Sequence, residues 1–328
     1  MRALATVLLG LTVAAGAASA QSIAITGATV YPVSGPKLEN ATVLIRDGKI
    51  TAVGTNVTIP ADAKRIDARG KVVTPGLIHP ATQAGLGVGR AADWNDADED
   101  YTAIAGTSDA NRQGDIKPSF NVLEGIDPQA VAIPVTRTGG VTTVLSLPGS
   151  GMVAGQGVVI DLSGETITEM LVKSPAVMRI DLGNGARAAG GGSKASGLQR
   201  LRDLFRDAEV LARRRSAYEQ NDLRPLAAPA EELEALLPVL RGQLPVYVEA
   251  DKESDIRSAL RLADEFKLKL ILSGGREAWR VASVLAERKI PVVVDPKENI
   301  PNFNGLRARF DNAALLEAAG VPVLIGGS

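Results

Sequence analysis

The sequence contains no cysteine. Disulfides, thiolate metal centres and thiol nucleophiles are excluded, and so is a lipid-modified cysteine. It contains one histidine, His79. A histidine-rich metal site therefore cannot be built. Any Ser-His-Asp system would have to use His79, and no Gly-x-Ser-x-Gly elbow accompanies it. Aromatic residues make up only 3% of the 328 residues, so the core must be filled by Val, Ile, Leu and Ala. Charge bias is absent as well: 36 Lys and Arg stand against 37 Asp and Glu, a formal net charge of -1. That balance gives no electrostatic reason to expect nucleic acid or an anionic membrane as partner. Beyond the N-terminus no run is apolar enough to span a bilayer.

What is present begins with a leader pattern at residues 1–20. Arg2 supplies a positive start, Ala3 to Ala15 form an uncharged and mostly apolar run, and Ala18-Ser19-Ala20 is a small-x-small cleavage signal. The expectation is a signal peptide removed before Gln21, with the mature protein periplasmic or secreted. An uncleaved membrane anchor is the alternative, and the shortness and small residues of the run weigh against it.

Residues 21–70 read as a small β unit. Ala41 to Arg46, Asp47-Gly48 and Lys49 to Val53 form a hairpin signal, because Asp-Gly supplies the positive φ of a tight type I′ turn. Gly27 to Val33 and Lys64 to Asp67 are further strand candidates. From Lys71 to Ser328 apolar strands alternate with amphipathic helices. Strands are expected at about 72–78, 141–147, 176–181, 245–249, 269–272, 291–294 and 321–325. Helices are expected at 198–218, 229–240, 253–266, 276–288 and 312–319. Residues 88–127 are polar and weakly patterned. Repeated βα units imply a parallel sheet covered by helices, closed as a (β/α)8 barrel or left open and doubly wound. In either case functional groups gather at the C-terminal strand ends.

Two tempting motifs have plainer readings. Gly183-Asn-Gly185 lies between a strand and a helix, as in a dinucleotide site, but the helix starts about ten residues too late for the fingerprint. Gly190-Gly-Gly-Ser-Lys194 is not a phosphate loop either, so residues 183–197 read as a flexible Gly/Ala loop. Arg213-Arg214-Arg215 shares its helix with Asp203, Asp207, Glu209 and Glu219, which reads as a solvated face of mixed charge.

The informative segments are Leu44-Ile-Arg-Asp-Gly-Lys-Ile-Thr-Ala-Val-Gly54 and Val73-Thr-Pro-Gly-Leu-Ile-His79-Pro-Ala-Thr-Gln83. Further along stand Asp255-Ile256, Ala259-Leu260, Leu262-Ala263 and Glu277-Ala278-Trp279-Arg280-Val281-Ala282. Together they resemble the amidohydrolase superfamily, in particular its imidazolonepropionase-like metal-dependent members. The resemblance covers most of the chain after the leader and selects the barrel. It implies an α/β fold: a (β/α)8 TIM-like barrel preceded by a small β-sandwich unit. Because the sequence stops at Ser328, just past the eighth strand, the last helix and the closing sandwich strands are expected to be lacking.

The resemblance also implies hydrolysis of a C–N bond in a cyclic amide, ureido compound or small peptide-like substrate, with divalent metal, usually zinc, activating water. The ligand positions do not carry the ligands. The first-strand His-x-His positions hold Ala81 and Gln83, and the preceding Asp position holds His79. The strand-five His position holds Glu249, the strand-six position Gly274, and the strand-eight Asp falls at or near Gly327. Hence no metal cofactor is expected. The residual candidates are His79, Glu249 and Asp295 as catalytic groups and Gln83 as a substrate contact. They could hold a hard ion such as Mn2+ or Mg2+, serve as a metal-free acid/base pair, or be ordinary rim residues. Two functions stand: a diverged amidohydrolase, or a catalytically silent binding or scaffold protein with a small-molecule ligand in the barrel mouth. The sequence sets no oligomeric state. The leader gives a first test: mass spectrometry of exported protein should find Gln21 as the first residue, and an intact Met1 would refute the cleavage.

Overall fold

A computed structural model describes residues 22–86, 115–301 and 305–326. The expected leader with its cleavage point, the polar stretch as far as residue 114, and Gly327 lie outside the described residues. The chain divides after Pro75 into two compact units. Among the described residues no helix is long and apolar enough to cross a membrane.

The first unit is a single five-stranded sheet. Its strands are β1 (Ile23–Val30), β2 (Leu38–Arg46), β3 (Lys49–Gly54), β4 (Lys64–Asp67) and β5 (Val72–Val73). The order is β3-β2-β1-β4, with β5 also paired to β1. The hairpin forms where Asp-Gly places it. Arg46 pairs with Lys49, and Asp47 and Gly48 have φ of 53° and 71°, both positive as a type I′ turn demands. Ala28, Val30, Ala41, Val43 and Ala68 close a small aliphatic core.

The second unit holds the strands β6 (Leu77–Thr82), β7 (Val141–Ser146), β8 (Val153–Asp161), β9 (Leu171–Asp181), β10 (Val246–Ala250), β11 (Leu270–Gly274), β12 (Val292–Val294) and β13 (Val323–Ile325). They form one eight-stranded sheet in the order β13-β12-β11-β10-β9-β8-β7-β6, whose end strands β13 and β6 approach each other to leave a nearly closed barrel. β9 to β13 run parallel, as do β6 and β7.

Two details differ from the sequence expectation. The strand expected at 72–78 is split: Val72–Val73 joins the small sheet, and Leu77–Thr82 enters the barrel. Pro75 lies at the break, where a residue without an N–H cannot extend a ladder. The second difference is β8, which runs antiparallel to both β7 and β9. Only Leu147–Met152 joins β7 to β8. So short a link can only reverse the chain, because a parallel return needs a crossover of a dozen residues or more.

The helices are α1 (Ala132–Thr138), α2 (Ile167–Met170), α3 (Asn184–Ala189), α4 (Lys194–Arg213), α5 (Arg215–Glu219), α6 (Ala230–Ala235), α7 (Leu237–Leu240), α8 (Glu253–Phe266), α9 (Ala282–Glu287) and α10 (Asn312–Ala318). The loop expected at 183–197 is therefore largely helical. Asp181 accepts the amide hydrogens of Gly183 and Gly185 and so starts α3, while Ser193 Oγ accepts from Ser196 and caps α4. The arginine run behaves as a charged face: Arg213 pairs with Glu209, and Arg215 with Glu219 and Glu234.

The main core lies between the helices and the outer face of the sheet. Leu201, Leu204, Phe205, Ala208 and Leu211 of α4 recur at helical spacing, as do Ile256, Ala259, Leu260 and Phe266 of α8. The rings of Phe205 and Phe266 meet edge to face at 4.9 Å. A separate cluster packs Leu147, Val177, Tyr247 and Val293 against Ala81, Leu145 and Ile271. In a chain so poor in aromatics, Phe205 is a large share of the packing. Phe205→Ala should cost about 3–5 kcal/mol in urea unfolding, and a loss below about 1 kcal/mol would show that this contact is not part of the tight core.

Candidate functional site

Strand alternation builds the site. Val177 and Tyr247 belong to the cluster that fills the barrel, so every second residue onward, Arg179 and Asp181 on β9 and Glu249 on β10, shares their side. The register sets Tyr247 opposite Arg179 and Glu249 opposite Asp181. Apolar groups thus occupy the lower layer and charged groups the C-terminal ends of the same strands.

At the centre is an ion pair. Arg179 Nη2 donates to Glu249 Oε2 at 2.7 Å, and Nη1 donates to the carbonyl oxygens of Pro148 and, at 2.7 Å, Gly149. Burial works against the guanidinium charge, but Glu249 and Asp181 outweigh it and raise the pKa of Arg179. Asp181 accepts from Gly183 at 2.6 Å and from Gly185 at 2.8 Å. Burial, then the charge of Glu249, still push its carboxyl up to about 6.

Asp251 follows β10 directly. Burial pushes it up to about 6 against the pull of Arg276, whose Nε stands 3.5 Å from its Oδ2, and its Oδ1 is buried without a hydrogen-bond partner. Asp255 at the start of α8 is paired with Lys194 at the start of α4. Below them Tyr247 is 2% exposed; burial pushes its phenol up to about 12, and its hydroxyl has no partner of normal hydrogen-bond geometry. Asp181, Glu249, Asp251, Asp255 and Lys194 line a cleft of about 470 Å3, partly open to solvent, with Asn184, Arg187 and Lys252 also in its wall; Arg179, Arg276 and Tyr247 are not among its lining residues.

Of the residues singled out in the sequence, Glu249 lines this cleft and His79, Gln83 and Asp295 are not among its lining residues. His79 lies on β6, where its Nδ1 accepts the Ala81 amide hydrogen at 3.3 Å. Gln83 follows β6 and its carbonyl accepts from Leu86. Asp295 follows β12 and its Oδ1 accepts from Lys297 at 2.9 Å. Sequence reasoning missed Arg179, Asp181, Asp251 and Lys194. Arg-x-Asp at the end of one expected strand and Glu-x-Asp at the end of the next were the available signal.

At the family's ligand positions, Ala81 offers no side-chain donor, and Glu249 already holds Arg179. Gly274 has a φ of 79°, and a Cβ built there would stand 2.5 Å from Asp251 Oδ1, so a larger residue meets both backbone strain and a carboxylate. Among the described residues no group of three or more His, Asp or Glu is placed to hold a metal ion.

No family model matches the chain. Among solved structures, an amidohydrolase from Thermotoga maritima MSB8 superposes with a TM-score of 0.77 at 29% identity, over 93% of this chain and 78% of that one. Among curated proteins, amidohydrolase tasK of Hapsidospora irregularis is 25% identical over 69% of this chain and 25% of its own length. The imidazolonepropionase of Geobacillus sp. (strain WCH70) is 36% identical over 20% of this chain and 18% of its own. The chain thus spans a quarter or less of these curated relatives. In sequence and fold it is similar to amidohydrolases.

The raised carboxyls give a signed prediction. A carboxyl with a folded pKa near 6 favours its protonated form on folding, so the stability it contributes is complete below about pH 4 and is lost as pH rises through 6. Asp251→Asn should therefore gain stability over the wild type in urea unfolding at pH 7.5, and lose that advantage at pH 4. An advantage that does not change with pH would refute the assignment.

Proposed function

We propose that this chain binds a small polar molecule at the C-terminal mouth of an amidohydrolase barrel, without the metal-dependent hydrolysis of its relatives. The observation that carries this reading is the Arg179–Glu249 ion pair. A part-buried guanidinium, held by two carbonyls and Glu249, keeps a fixed positive charge beside the strand-end carboxylate that stands at one of the family's ligand positions. Zinc needs about three nitrogen, sulfur or carboxylate donors in a tight shell. Ala81 and Gly274 supply none, and Glu249 would have to give up its contact with Arg179. The leader pattern supports a periplasmic or secreted location.

A second reading has its own support. Asp181 and Asp251, both near 6, are poised to exchange protons at neutral pH, as a general acid or base must. Metal-free cleavage of a C–N bond in a cyclic amide, ureido compound or small peptide-like substrate would use them. One carboxyl would protonate the leaving nitrogen, and the other would take a proton from the attacking water.

Elemental analysis and thermal unfolding of the purified mature chain test the first reading. Metal content should fall well below one equivalent, and added zinc should barely move Tm. A ligand at 100 times its Kd would contribute about 2.7 kcal/mol, a shift easily seen. About one tightly held divalent ion per chain, lost in Glu249→Gln, would overturn the proposal. Turnover of a cyclic amide by metal-free protein, abolished in Asp251→Asn, would establish the second reading instead.

A further inference from the structure

We draw no further inference here: the strongest candidate, the exposed aliphatic patch of Ile50, Val53 and Ile66 on one face of the small sheet, carries none because nothing in the structure shows what covers it.

Discussion

The Arg179–Glu249 ion pair is the constraint on which the mouth of the barrel depends. Burial works against a guanidinium charge, so the part-buried Arg179 needs nearby acceptors. Its three acceptors come from two places: Glu249 on β10, and Pro148 and Gly149 on the link between β7 and β8. One side chain on β9 therefore ties together two neighbouring strands and the turn that sends β8 back antiparallel. Burial first, and then the charge of Glu249, raise both Asp181 and Asp251.

The layering of the barrel follows from a two-residue period and the register. Val177 and Tyr247 sit low and pack; Arg179, Asp181 and Glu249 sit high and carry charge. Outside the sheet, α4 and α8 bury aliphatic stripes joined by the Phe205–Phe266 contact. A rigid aliphatic framework beneath a charged mouth is the arrangement expected of a barrel that presents a ligand site. In this chain charges at the mouth pair with one another, Arg179 with Glu249 and Lys194 with Asp255.

The parts of the fold legible in the sequence are those with a local cause. Asp47-Gly48 dictates its turn by backbone sterics, and the βα alternation after Pro245 follows from apolar periods that switch between 2 and 3.6. β8 was not legible. Val153 to Asp161 is buried on nearly every residue and contains Gly155 and Gly157, so it shows neither alternation nor strand propensity. α3 was missed because Gly and Ala beside it read as a loop, and the carboxylate that starts it, Asp181, stands in the preceding strand. Glu249 was found because a strand-end position picks it out. Its partner Arg179 lies 70 residues earlier in the chain, and no local pattern links the two. Asp251 and Gly274 make sense only as a pair, since the backbone of one leaves room for the carboxylate of the other.

The central claim is that an internal ion pair, and not a metal, organises this mouth. A crystal structure of the mature chain soaked in zinc, with anomalous data at the zinc edge, tests it most directly. The account predicts no zinc peak at the C-terminal ends of β10 and β11, with the Arg179–Glu249 contact intact. A strong peak coordinated by Glu249, with Arg179 displaced from it, would contradict the account.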